Sequence, residues 1–133
     1  METPWDELEQ VAATALAKAY APYSNFRVGA AALTSDGRII SGCNVENAAY
    51  GVTLCAECAM IGELFATGGG TLEFFVCFGQ LKDEPLEIIT PCGRCRQLLF
   101  EHRGADLKIK TATKIITMDQ LLPEAFGPSN LNV

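Results

Sequence analysis

The sequence lacks the long apolar stretches that mark membrane and exported proteins. No apolar run in the 133-residue chain approaches the roughly 18 residues that a membrane-spanning helix needs. The first seven residues, Met1–Glu7, are acidic, whereas a secretory signal begins with positive charge followed by an apolar stretch. We therefore expect a cytoplasmic protein without a membrane partner.

Basic residues are scarce in this chain. Lys and Arg number 10 against 16 Asp and Glu, which gives a net charge of −6. Because nucleic-acid binding depends on Lys and Arg to neutralise phosphates, this balance disfavours a nucleic-acid partner. A small or neutral molecule is the better match.

Several common catalytic motifs are absent. The single histidine, His102, falls at the end of a predicted helix, where a favourable interaction with the helix dipole explains it. The four serines form no Gly-x-Ser-x-Gly element, and no Gly-x-Gly-x-x-Gly segment supports dinucleotide binding. The run Gly68-Gly69-Gly70 follows a predicted helix and has no Gly-Lys-Ser/Thr continuation, so it indicates a helix stop rather than a phosphate loop.

Cysteine is present at a level that excludes a disulfide scaffold. Six cysteines in 133 residues are about 4.5% of the chain, below the roughly 8–10% typical of such scaffolds. A cytosolic protein keeps its thiols reduced, so a cysteine cluster favours metal binding or catalysis. Cys43 and Cys77 fall in predicted strands without metal-pair spacing, and we expect both to be small buried hydrophobes.

The length and composition predict one domain, residues 1–133, because 49% of the residues are hydrophobic and a typical domain has about 150 residues. The hydrophobic periodicity and the turn signals predict alternating helices and strands. The predicted helices are Trp5–Ala21, Thr53–Thr67, Pro91–Arg103 and Asp119–Phe126. The predicted strands are Val28–Thr34, Arg38–Cys43, Leu72–Phe78, Leu107–Ile109 and Ile115–Met118. This order predicts an α/β fold with a mixed β-sheet between helical layers, a three-layer α/β/α sandwich.

The chemistry lies in two Cys-x-x-Cys pairs, Cys55 with Cys58 and Cys92 with Cys95. Both pairs fall at predicted helix starts, where residues three apart share a face and the helix dipole favours negative charge. Two such pairs are typical of a zinc site. All four thiolates together would form a closed structural site that excludes a reactive water.

A glutamate between the zinc-ligand candidates favours a catalytic site instead. Glu57 follows Cys55 by two residues, and Cys-x-Glu with a later Pro-Cys-x-x-Cys is a deaminase signature. A zinc ion held by Cys55, Cys92 and Cys95 would keep one position for a water whose pKa the metal lowers. Glu57 could then take the proton from that water and pass it to the substrate.

The sequence resembles the small, homotetrameric cytidine deaminases over nearly its whole length. The resemblance rests on four motifs that occur in the family's order. They are Tyr23-Ser24-Asn25-Phe26-Arg27-Val28-Gly29-Ala30; Asn44-Val45-Glu46-Asn47-Ala48 with Tyr50; Cys55-Ala56-Glu57 with Pro91-Cys92-Gly93-Arg94-Cys95-Arg96-Gln97; and Leu121-Leu122-Pro123-Glu124-Ala125-Phe126-Gly127.

The resemblance implies a nucleoside pocket with one Zn²⁺ per subunit. It implies that Asn44 and Glu46 bind the ribose hydroxyls, that Phe26 packs against the base, and that the backbone around Ala56 contacts the cytosine ring. Tyr50 belongs to the same substrate-binding set. Sites built to bind a hydroxyl reject ligands that lack it, because their buried polar groups are then left unpaired.

The resemblance also implies a homotetramer with shared active sites, since Phe126 would reach the site of a neighbouring subunit. Relatives often carry Arg after Cys-Ala-Glu, where this chain has Cys58. Three thiolates with a hydroxide on a divalent ion leave excess negative charge, which a nearby cation should offset. We expect Arg96 to do so, with Arg94 next. Cys58 itself could be a core residue, a thiol beside the ligands, or a fourth ligand.

The resemblance implies zinc-dependent hydrolytic deamination of cytidine, and of 2′-deoxycytidine, in pyrimidine salvage. One alternative is a blasticidin-type deaminase, which shares the zinc chemistry; the Asn44–Asn47 ribose motif argues for a free nucleoside. The other is a non-catalytic four-cysteine structural zinc module.

Overall fold

A computed structural model of the chain describes residues 3–133. Its α-helices are α1 (Trp5–Leu16), α2 (Ala56–Ala66), α3 (Gly93–Glu101) and α4 (Met118–Leu121). Its strands are β1 (Phe26–Thr34), β2 (Ile39–Cys43), β3 (Leu72–Leu81), β4 (Glu87–Ile89), β5 (Arg103–Lys110) and β6 (Ile115–Thr117). Short 3-10 helices span Tyr50–Val52 and Pro128–Leu131. No helix within residues 3–133 is long and apolar enough to cross a bilayer.

The strands form one mixed sheet in the order β2-β1-β3-β5-β6, and β4 pairs with β3. The β3–β5 pair is parallel, whereas β1 runs antiparallel to both β2 and β3. The predicted hairpin is confirmed, and its turn contains Gly37 at a φ of 88°, a conformation that glycine adopts without strain. The long apolar run of β3 is buried on both faces of the sheet, since Phe75 lies in one core cluster and Val76 in the other.

Helices cover the two faces of the sheet, which confirms the predicted three-layer α/β/α sandwich. Successive strand residues alternate between the faces. Ala31 and Val76 pack with α1, around the buried Leu8. Ala30 and Phe75 pack in the other core cluster, where α2 and α3 contribute most of the helical side chains. The two helices that carry the cysteine pairs therefore share one face of the sheet.

Glycine lets α2 approach β2 closely. A Cβ built on Gly42 would lie 2.4 Å from the Ala56 carbonyl oxygen and 2.6 Å from the Met60 nitrogen, both in the first turns of α2. A Cβ atom does not come this close to a non-bonded heavy atom, so any side chain at Gly42 would push the start of α2 outward. Gly42 thus fixes where the first cysteine motif lies.

Several element boundaries differ from the prediction. β1 begins at Phe26, β3 extends to Leu81, α2 begins at Ala56 and α4 ends at Leu121, and the strand β4 was not predicted. Two further differences arise because tertiary pairing overrides the local pattern. α1 ends at Leu16 rather than Ala21, and the Tyr20 backbone exchanges hydrogen bonds with Asn44 and Glu46 instead. α3 begins at Gly93, with Cys92 as its N-cap residue, and ends at Glu101. The chain then enters β5 at once, since Arg103 pairs with Leu72 of β3.

Candidate active site

Three thiols from two helix starts meet in one cluster. Cys55 is the N-cap residue of α2, Cys92 is the N-cap residue of α3, and Cys95 lies in the first turn of α3. Their sulfur atoms all lie within 4.8 Å of one another. Among residues 3–133, this is the one group of three or more Cys, His, Asp or Glu side chains with metal-site spacing. Both helix N-termini favour negative charge at the cluster.

Glu57 lies beside this cluster in the first turn of α2. Its side chain is buried, with 3% of the residue exposed, and the Cys95 thiol lies beside its carboxylate. Burial raises the pKa of the Glu57 carboxyl, although hydrogen bonds from Cys95 and from its own backbone N–H oppose the rise. A carboxyl in this setting can hold and release a proton closer to neutral pH.

The electrostatics of the thiols fit a cation at their centre. Burial raises the pKa of Cys55 and of Cys95, and the Glu57 carboxylate raises both further. At Cys92 burial acts in the same direction, but hydrogen bonds from the Cys95 backbone and thiol outweigh it and lower the pKa. Three thiolates held this close repel one another, so a soft divalent ion such as zinc is the natural charge partner.

Arg94, not the predicted Arg96, reaches the thiols. The Arg94 Nη1 atom donates to Cys58 Sγ at 2.7 Å and lies 3.9 Å from Cys55 Sγ. Arg96 instead donates from Nε to the Pro91 carbonyl oxygen at 2.8 Å. It also donates from Nη1 to the Leu121 carbonyl oxygen at 3.0 Å. The prediction that Arg96 offsets the thiolate charge is therefore wrong. Its guanidinium binds backbone carbonyl groups instead, and the contact with Leu121 links α3 to α4.

The segment that contains Asn44 and Glu46 runs beside the first cysteine. The Val45 and Leu54 backbones exchange two hydrogen bonds of 2.9 Å, one residue before Cys55. Asn44 is buried, with Oδ1 accepting from the Val28 N–H at 2.9 Å. Its Nδ2 donates to the Phe26 carbonyl oxygen, also at 2.9 Å. Asn44 therefore holds this segment onto the start of β1.

Glu46 is held by the turn that precedes β1. Its Oε1 accepts from the Tyr23 N–H at 2.9 Å and from the Ser24 N–H at 3.1 Å. Its Oε2 accepts from the Ser24 hydroxyl. These hydrogen bonds, that of the Ser24 hydroxyl first, hold the pKa of Glu46 below its usual value. Sequence reasoning assigned no role to Ser24, since the only signal for it was its place in the Tyr23–Ala30 motif.

A cavity of about 340 Å³ opens beside Glu46. It is lined by Tyr23, Ser24, Glu46, Asn47, Tyr50 and Thr53. Its volume lies at the low end of the roughly 300–1,000 Å³ typical of small-molecule sites. The structure thus places Glu46 and Tyr50 on one cavity, and backbone pairing links that cavity to the cysteine cluster.

The two predicted aromatic contacts occupy different surroundings. Phe26 begins β1 and lies over Gly79 of β3, where a Cβ would come within 2.5 Å of the ring. Phe126 lies 59% exposed near the C-terminus, and its carbonyl oxygen accepts a hydrogen bond from Gln97 at 2.7 Å. The Phe126 ring is therefore accessible to another molecule.

The three-layer fold and the cysteine cluster define an α/β protein with a candidate metal site, and comparison with known families identifies its family. Residues 4–111 match the family described as the cytidine and deoxycytidylate deaminase zinc-binding region. The chain belongs to the cytidine deaminase family. The predicted family and the predicted zinc cofactor are thereby confirmed, and Cys55, Cys92 and Cys95 are the cluster that could hold the ion.

Individual relatives agree over nearly the full length. The chain is 48% identical over 130 residues to a protein named cytidine deaminase from Mycobacterium tuberculosis (strain ATCC 25618 / H37Rv), covering 98% of this chain and 95% of the relative. A crystal structure of cytidine deaminase from Mycobacterium leprae shares 53% identity, with a TM-score of 0.85 over 92% of this chain and 100% of that chain. That of cytidine deaminase from Burkholderia pseudomallei shares 38% identity, with a TM-score of 0.79 over 91% and 98%.

Proposed function

We propose that this chain catalyses the hydrolytic deamination of cytidine, and of 2′-deoxycytidine, to the uridine nucleoside and ammonia. One observation carries the proposal: three clustered thiols and the buried Glu57 carboxyl meet where α2 and α3 begin. The relatives named cytidine deaminase support cytidine as the substrate.

Cys55, Cys92 and Cys95 would hold one zinc ion per subunit. The chemistry that zinc supplies when bound to three protein ligands is polarisation of a water molecule at the remaining position, which makes the water a nucleophile near neutral pH. Cys58 supports this open arrangement, because its sulfur is engaged by Arg94 and lies outside the three-thiol cluster.

Glu57 carries the proton transfers. Its carboxylate takes a proton from the attacking water and delivers it to the ring nitrogen beside the carbon that bears the amino group. The water oxygen bonds to that carbon. Its remaining proton then moves through the same carboxyl to the amino nitrogen, the carbon–nitrogen bond breaks, and ammonia departs from the carbonyl that is left. Burial of Glu57 suits this role, because it brings the pKa of the carboxyl toward working pH.

The cavity beside Glu46 would receive the nucleoside. Glu46 and Asn44 bind the ribose hydroxyls, Tyr50 and Phe26 flank the ligand, and the Ala56 backbone contacts the cytosine ring. The backbone contacts of Asn44 leave one Oδ1 lone pair and one Nδ2 hydrogen for a sugar. The carboxylate of Glu46 likewise retains acceptor capacity beyond its three donors.

The assembly and setting complete the proposal. Residues 1–133 act as one catalytic domain, four copies form a homotetramer, and Phe126 enters the site of a neighbouring subunit. The 59% exposure of Phe126 and the 79% exposure of Tyr50 support such a shared site. The enzyme serves pyrimidine salvage in the cytoplasm.

Light scattering of the purified protein should give a tetramer, and a fully active monomer would contradict the shared site.

A time course of the ultraviolet spectrum of cytidine tests the activity. Zinc-loaded protein should convert cytidine to uridine, and metal-stripped protein should not. Conversion of blasticidin S but not of cytidine would favour the blasticidin-type alternative. Folded, zinc-loaded protein that converts neither would favour the four-cysteine structural module.

The variant Cys58→Ser should keep both zinc and activity. Loss of zinc in this variant would show that Cys58 is a ligand.

A further inference from the structure

Ser24 contacts two residues of the proposed nucleoside site, Glu46 and Phe26. It lies in the turn between α1 and β1, and its hydroxyl donates to Oε2 of Glu46. The Ser24 Oγ atom in turn accepts a hydrogen bond from the Phe26 N–H at 2.9 Å. The Ser24 hydroxyl therefore holds both the start of β1 and the Glu46 carboxylate in place.

The hydrogen bonds of Glu46 divide unequally between its two oxygens. Oε1 accepts the two backbone N–H groups of Tyr23 and Ser24, which no side-chain substitution removes. Oε2 accepts only from the Ser24 hydroxyl among residues 3–133. The backbone of the turn thus holds Oε1, and the Ser24 hydroxyl adds the side-chain contact that fixes the direction of Oε2.

We propose that Ser24 is a positioning residue that orients the Glu46 carboxylate toward the sugar hydroxyls and thereby sets the preference for a hydroxylated sugar. This inference rests on the proposed function. Both residues line the 340 Å³ cavity, so the oriented carboxylate lies where a nucleoside would bind. A hydroxyl donor to a carboxylate is also stronger than a neutral hydrogen bond, which suits a fixed geometry.

The test compares cytidine with 2′,3′-dideoxycytidine, which lacks the 2′- and 3′-hydroxyls but keeps the 5′-hydroxyl, in the zinc-loaded Ser24→Ala protein. The KM for cytidine should rise about tenfold, the size expected for one hydrogen bond to a charged group. The kcat should stay within about twofold, since Ser24 does not touch the thiol cluster. The KM for the dideoxy analogue should rise far less, because that substrate lacks the hydroxyls that Glu46 would bind and depends on Ser24 only through Phe26.

Matched variants separate positioning from general damage. Ser24→Thr keeps a hydroxyl and should restore the cytidine KM, and Ser24→Ala should add nothing in a Glu46→Ala background. Ser41→Ala, on β2, is the control. Zinc content and the fluorescence of the single tryptophan, Trp5, report folding. If Ser24→Ala fails these checks, Ser24→Cys, with a weaker donor, takes its place.

Two results would overturn the inference. One is an equal rise in KM for cytidine and for the dideoxy analogue, which indicates a merely structural role for Ser24. The other is an unchanged cytidine KM in Ser24→Ala. Failure of the proposed function is recognised separately, since the unsubstituted, zinc-loaded protein would then convert no cytidine at all.

Discussion

At the scale of single residues, two arginines two positions apart do different work. Both lie in α3, but Arg94 is exposed and directed to Cys58 and Cys55, whereas Arg96 is directed to backbone carbonyls. The spacing of the sequence cannot separate them, because which guanidinium reaches a thiol depends on where α2 begins relative to α3. The sequence therefore predicts that a cation offsets the thiolate charge, but it cannot predict which of the two arginines contacts the thiols.

This difference predicts opposite phenotypes for the two glutamine substitutions. Arg94→Gln should lower kcat about fivefold, below the usual 10–100-fold for residues beside metal ligands because solvent screens Arg94. Its melting temperature should be unchanged. Arg96→Gln should lower the melting temperature by about 4 °C, since it leaves carbonyl groups without donors, and should retain kcat. Steady-state kinetics and calorimetry measure both, and the reverse pattern would reassign the charge partner to Arg96.

At the scale of elements, the sequence predicted most of the fold that positions the site. The hairpin around Gly37 follows from turn chemistry. The presence of helices that begin near Cys55 and Cys92 follows from helix-forming residues and from a proline before the second helix, although the predicted starts at Thr53 and Pro91 lie ahead of the observed ones. The end of α1 and the start of β5 could not be predicted, because each depends on a distant partner strand or segment. Local patterns determine where an element can begin, and tertiary pairing decides where it ends.

The contact between β2 and α2 predicts contrasting effects for two glycines. Gly42→Ala should destabilise the protein by about 2 kcal/mol, because its Cβ would overlap the Ala56 carbonyl oxygen and force α2 outward. Gly62→Ala, within α2, should stabilise by about 0.5 kcal/mol, since a Cβ there meets nothing within 4 Å and alanine favours helix. Urea unfolding measures both, and equal stability of the two variants would refute the close approach.

At the scale of the whole molecule, the proposed zinc ion joins two helices that are far apart in sequence. Cys55 begins α2, and Cys92 and Cys95 begin α3. An ion that binds the folded state and not the unfolded state stabilises the fold by mass action. Loss of the ion should therefore both stop catalysis and loosen the packing of α2 against α3.

Metal removal should accordingly lower global stability. Treatment with a strong chelator should reduce the melting temperature by roughly 5 °C or more, because a zinc site contributes several kcal/mol to the folded state. Added zinc should restore it. Cys92→Ser, which lacks one proposed ligand, should melt at a temperature that the chelator changes little. A chelator-insensitive melting temperature in the unsubstituted protein would contradict a structural contribution from the ion.

We propose that deamination requires three thiol ligands beside a buried carboxyl, and the Glu57→Gln variant tests this requirement. Zinc content and cytidine turnover should be measured on the same purified sample. We expect one zinc per chain and a kcat about a thousandfold below that of the unsubstituted protein, because glutamine cannot transfer a proton. Turnover within a few-fold of the unsubstituted protein, with zinc retained, would contradict the account.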